Sequence, residues 1–176
     1  MANVFKSGKM ISNQIDSYLA NAVSDVEMLD GALVKLGDLA EDLTYVDDGV
    51  EYDTYKAVAA VDGEEVAIVD YAGTSEGEIA GNNYKMGAKL YDLKVLPGKI
   101  TRVRRLNLHD KFWLGEDNFE SAPVVGKYAK VGADFKHLPA EDKPASGYAV
   151  KVLVSEDFTA GMKSEGKLYL CEVVSL

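Results

Sequence analysis

Three groups of residues carry side chains able to do chemistry. The first, Gly73-Thr74-Ser75-Glu76-Gly77, fits the G-x-S-x-G spacing of a serine nucleophile, with Asp134 and His137 following in the Ser, Asp, His order of such hydrolases. That chemistry needs a helix directly after the serine, so that a strained turn presents its hydroxyl. The residues that follow, EIAGNNYKMGAK, hold two glycines, paired asparagines and little helical periodicity, so a polar loop accounts for the motif better. The second group is Asp47, Asp48, Glu51 and Asp53 in YVDDGVEYD, oxygen donors of the kind Ca2+ prefers. Its glycine falls too early for an EF-hand and no glutamate occupies the twelfth position, so it reads as a solvated acidic loop, with a weak structural Ca2+ site as the alternative. His109, His137 and Cys171 are too scattered for a zinc site.

The third group is KITRVRRLNLHDKFWLGEDNF, Lys99 to Phe119, which holds all three arginines, the one tryptophan and one of the two histidines. Basic and aromatic side chains so interleaved serve nucleic-acid binding, phosphate on one and stacked base on the other. A net charge of −10 opposes that use, because the chain as a whole repels a polyanion. Arginine also pairs in bidentate fashion with carboxylates, and Trp and Arg are the usual anchors of protein interfaces. Arg102, Arg104 and Arg105 are therefore candidate contacts to acidic surface on a neighbouring protein, while Trp113 reads first as a core residue and otherwise as an interface anchor. The ten tyrosines, with Tyr45, Tyr52 and Tyr55 close together, support a second reading as a sugar-stacking platform. There is no G-x-x-x-x-G-K-[ST] or strand-borne G-x-G-x-x-G to cradle a phosphate. No catalytic residue, cofactor or metal is assigned, and the chain is expected not to be an enzyme.

The elements that must position these residues are strands. Sixteen glycines against four prolines, with many Val, Tyr and Ala, favour short strands and tight turns. YKAVAAV and EEVAIVDYA flank Asp62-Gly63, and KLYDLKVL and KITRVRRL flank Pro97-Gly98; each pattern predicts a hairpin. Near the C-terminus GYAVKVLVSED places Tyr148, Val150, Val152 and Val154 on one face, and GKLYLCEVVSL is a further strand locked into the sheet. KLGDL (35–39), NLHDKF (107–112) and KVGADF (130–135) repeat a strand-ending corner.

Residues 1–30 differ. They are rich in Asn, Ser and Asp, and Ile11, Ile15, Tyr18, Leu19, Ala22, Val23 and Val26 fall near helical spacing, which predicts a short helix after Ser12 or an arm. Val4, Phe5, Met10, Ile11 and Ile15 need a cover, on the chain's own domain or on a partner. The expected organisation is thus an arm or short helix over 1–30 and a β-rich domain over 31–176. The fold class is mainly β, a Gly-rich antiparallel barrel or sandwich. Charge divides similarly: 17 acidic against 5 basic residues in 1–88, and 12 against 14 in 89–176, so the halves attract each other within or between chains. Neither a signal-peptide core nor a membrane-spanning run is visible, and a lone Cys171 reads as a buried thiol.

GALVKLGDLAE after a polar leader, the middle segments LHDKFWLGEDNF and PVVGKYAKVG, and the closing GKLYLCEVVSL together resemble the decoration, or cement, proteins of tailed-bacteriophage heads. The resemblance implies a non-enzymatic structural protein of the virion, made in the bacterial cytoplasm. It would bind the outside of an assembled capsid, often at threefold positions, and clamp neighbouring subunits. Its implied partners are the major capsid protein and further copies of itself, as a homo-oligomer such as a trimer, with neither nucleic acid nor membrane. A carbohydrate- or host-surface-binding β module is the alternative.

Overall fold

The computed structural model describes residues 5–43, 45–47, 50–71, 94–160 and 163–176. The chain is mainly β, as expected, with a closed barrel and antiparallel sheets. Its strands are β1 (Phe5–Ser7), β2 (Leu19–Val23), β3 (Met28–Leu29), β4 (Leu33–Leu39), β5 (Tyr45–Asp47), β6 (Val50–Tyr52), β7 (Thr54–Ala59), β8 (Ala67–Asp70), β9 (Lys94–Val95), β10 (Thr101–Arg105), β11 (Lys111–Gly115), β12 (Tyr128–Val131), β13 (His137–Ala140), β14 (Ala149–Ala160) and β15 (Lys163–Ser175). Five of them close a barrel in the order β10-β2-β7-β4-β8, and six form a sheet in the order β1-β11-β15-β14-β12-β13. All barrel pairs are antiparallel except β2 with β7. Among the described residues no helix is long and apolar enough to cross a membrane.

Pleating explains how barrel and sheet share a core. Val34 faces Ala67 across the β4–β8 ladder and both point into the barrel, with Ala22, Ala57, Val69 and Val103. The neighbouring pair Leu33 and Ile68 points the other way and packs among Phe5, Phe112, Leu114, Tyr148, Val150, Val152 and Cys171 of the sheet. Burying each such aliphatic side chain contributes about 1.5–3 kcal/mol, so this second layer ties the units firmly. The turn before β4 brings the backbone against the sheet at Gly31. With φ +84, a Cβ there would stand 2.9 Å from Leu114 Cδ2 and 3.0 Å from Asn118 Nδ2. Only glycine fits.

The residues expected as an arm are built into both units. β1 is an edge strand of the sheet and β2 a wall of the barrel, so residue 30 marks no structural boundary. In place of a helix after Ser12 stand two 3-10 turns, Ile11–Asn13 and Asp16–Tyr18. The helical spacing of Leu19, Ala22 and Val23 is overridden because β2 finds ladder partners on both sides, β10 and β7.

Both glycine turns form where expected, yet neither makes a hairpin. Gly63 has φ +84 and the Glu64 N–H donates to Val61 C=O, but β7 and β8 are separated by β4, which pairs with each. Gly98 has φ +75 and the Lys99 N–H donates to Leu96 C=O, but β9 pairs with β3 while β10 enters the barrel. The long hairpin is instead β14–β15. Tyr148, Val150 and Val152 are buried, as alternation requires, whereas Val154 is 42% exposed. A bulge between Val152 and Val154 shifts the register, opposing Val154 to Leu170 and turning it to the outer face.

Of the repeated corners, two are real. His109 sits at φ 69, and Asp134 and Phe135 at φ 49 and 65, all left-handed. The third, KLGDL, lies within β4, where the pairing with β7 is irregular.

Candidate protein-docking surface

The arginines stand on β10, and the structure turns most of their charge inward. Arg102 and Arg104 both point outward from the barrel, yet Arg104 is only 7% exposed because the turn Ile11–Asn13 lies across it. Its Nε donates to Asp70 Oδ2 at 2.6 Å, and its NH1 group donates to Ser12 Oγ at 3.1 Å and Asn13 Oδ1 at 3.0 Å. Arg102 shares the same carboxylate at 2.7 Å from NH2. Arg105 lies 3.6 Å from Glu65 and over the ring of Tyr55, 6.0 Å from its centroid. Each arginine thus has an acidic partner in its own chain. Arg104 is a buried tie, and only Arg102 and Arg105 keep an exposed part.

The N-terminal candidates are similarly placed inside. Val4 lies outside the described residues. Phe5 and Met10 belong to the shared core, and the Phe5 ring stands 5.7 Å from Phe112. Ile11 is half-buried and its N–H donates to Asp110 Oδ1 at 2.8 Å; Ile15 alone is open, at 42%. From Phe5 onward the expected arm therefore folds back onto its own chain, because three carboxylates hold its polar groups, backbone and side chain. Asp110 takes Ile11, Asp70 acts through Arg104, and Asp30 accepts the Phe5 N–H at 2.8 Å and the Tyr71 N–H at 2.9 Å. Burial pushes the Asp30 carboxyl up to about 7, against the opposing pull of those two hydrogen bonds.

What remains at the surface is carried by the register of the sheet. Phe112 and Leu114 face the core, so Trp113 between them faces out. Trp113 is opposed by Lys6 on β1 and Leu170 on β15, and Leu170 is opposed in turn by Val154. The outer face thus carries a row Lys6, Trp113, Leu170, Val154 across four strands. Beside it runs a polar row, Lys111, Glu172, Lys151, Tyr128. A half-buried aromatic flanked by aliphatic side chains and rimmed by charge is the make-up of an interface anchor. Trp113, expected first in the core, is thus placed on the outer face, because the alternation Lys111-Phe112-Trp113-Leu114 gives the core to Phe112 and Leu114.

The other motifs resolve into structure. His137 is fully buried; its Nδ1–H donates to the Asn118 C=O at 3.2 Å, which leaves Nε2 to accept from the Tyr148 hydroxyl at 3.0 Å. Burial drives its pKa down to about 4, so the ring is neutral and structural. Asp134 forms part of a left-handed corner, and Ser75 lies outside the described residues. Burial also raises the Cys171 thiol, the mark of an inert packing residue. His109 is exposed, 3.3 Å from Glu172. Among the described residues no cluster of His, Cys, Asp and Glu could hold a metal. The side chains of Asp47, Asp48 and Glu51, and those of Tyr45 and Tyr52, lie outside the described residues, as does Gly73 to Gly77. Compared with known proteins, the chain matches no family model, no curated protein and no solved structure.

Proposed function

We propose that the chain is a non-enzymatic structural protein of a phage virion, which binds the outside of an assembled capsid and clamps neighbouring capsid subunits. The observation that carries the proposal is the outer-face row Trp113, Leu170 and Val154, set in register on three adjacent strands of a sheet whose other face is filled by core. A rigid face of this kind loses little conformational entropy on docking. Repetition over a lattice of equivalent sites then multiplies a modest affinity. The test is co-sedimentation of the purified chain with assembled, undecorated empty heads. Binding should saturate at a fixed copy number per shell, and Trp113→Ser should weaken it at least about tenfold while leaving the fold intact. Absence from the pellet, or a Trp113→Ser chain that binds as well, would sink the proposal.

The glycan reading draws on Trp113 and Tyr128 sharing the outer face. A glycan-array signal abolished by Trp113→Ser, with no binding to shells, would select it instead.

A further inference from the structure

The barrel carries a second surface, unconnected with the row on the sheet. The strands β2, β7 and β4 form one wall of the barrel, and an open groove of about 980 Å3 runs over it, closed at its sides by the turn Glu41–Leu43 and by Gly98. Leu39, Leu43 and Val58 line it and are 41%, 36% and 48% exposed. Large apolar side chains gathered so in one concave place mark a binding surface rather than ordinary scatter.

Charge says what kind of occupant fits. Asp25, Asp38, Glu41 and Asp42 line the same groove, all exposed, against a single Lys56. None of these five makes an ion pair with another described residue, in contrast to the arginines of β10. Four carboxylates repel phosphate and anionic lipid and favour a cation. Lys56 and Val58, two residues apart on β7, share its outer face, the spacing at which an extended chain also places every second side chain.

We propose that this groove binds an extended segment of a partner protein in which lysine or arginine alternates with aliphatic residues. The aliphatic side chains settle on Leu39, Leu43 and Val58, and the cations meet the carboxylates at the rim. With a docking row on the sheet and a groove on the barrel, one chain can hold two neighbours. The groove does not depend on what the sheet binds, so its failure leaves the capsid reading standing.

The test uses the full chain and a fluorescein-labelled peptide, Lys-Val-Lys-Leu-Lys-Val-Lys-Leu, with binding read by anisotropy at about 150 mM salt, where long-range attraction is screened. Saturable binding is expected. Asp38→Lys with Asp42→Lys should weaken it at least about tenfold, whereas Glu156→Lys with Asp157→Lys, an equal change of net charge on the exposed β14 strand, should change it less than about twofold. Val58→Ser, on the surface and harmless to folding, should weaken it about threefold, and a Lys-Ser peptide of equal length should bind more weakly still. Equal losses in both charge variants, equal binding of the Lys-Ser peptide, or no saturable binding would overturn the proposal. A circular dichroism spectrum identical to that of the parent chain qualifies each variant.

Discussion

The carboxyl of Asp30 and the imidazole of His137 should pull the stability of the chain in opposite directions with pH. Asp30 has its pKa raised from 3.8 to about 7, so between those values the folded chain holds a proton that the unfolded chain has released. Stability then falls as pH rises, by about 1.4 kcal/mol per pH unit at most and about 4 kcal/mol over the window. His137 has its pKa lowered from 6.5 to about 4. Between those values the unfolded chain holds the extra proton, so its contribution rises with pH by a similar slope, about 3 kcal/mol in all. From pH 4 to 6.5 the two largely cancel. Asp30→Asn removes one side of that balance while keeping the size of the side chain. It also leaves one of the two N–H groups, Phe5 or Tyr71, without its acceptor, a pH-independent cost of about 1–3 kcal/mol. Urea denaturation of both chains, followed by circular dichroism from pH 4 to pH 8, isolates the effect as a difference. The stability of the parent minus that of the variant should fall by about 4 kcal/mol from pH 4 to 7 and then level off, and the variant alone should gain stability from pH 4 to 6.5. A difference that changes by less than about 1 kcal/mol over the window would refute the reasoning.

Two further outcomes concern the ties within the chain. Arg104→Met strands Ser12 and Asn13 and leaves Asp70 with Arg102 alone, and should cost about 3–5 kcal/mol in urea denaturation, with little dependence on salt because the pair is buried. Arg104→Lys, which keeps the charge but lacks the fork, should fall between the two chains. Gly31→Ala should lower stability by about 2 kcal/mol or more, from the left-handed φ and the approach to Leu114, which thermal denaturation would register.

Local signals in the sequence were legible and non-local ones were not. Asp62-Gly63 and Pro97-Gly98 mark turns because the positive φ each turn needs is a property of its glycine alone. Which strand lies beside which is decided by distant partners, and β4 inserts where a hairpin was expected. Alternation identified Tyr148, Val150 and Val152 as core and failed at Val154, because a bulge adds a residue without altering composition. The arginines were found by type, but their partners Asp70, Ser12 and Asn13 lie far off in sequence, so a buried tie was indistinguishable from a free basic patch. Phe5 and Met10 were correctly seen to need cover, and the cover is the chain itself.

The order in which the ribosome makes the strands differs sharply from the order in which they lie. All five barrel strands have been made once Arg105 has been added, well before the chain ends, so the barrel can close during synthesis. The sheet cannot. β1 is made first but must wait for β11, and in the meantime the Phe5 side chain stays in water; Gly8 and Lys111, hydrogen-bonded at 3.0 Å, meet only after the whole barrel has been laid down between them. β15, the latest of the six to be made, enters between β11 and β14, near the centre of the sheet. A nascent chain stalled or cleaved before Lys163 would therefore present a finished barrel beside a sheet split down its middle, with two raw strand edges open to aggregation.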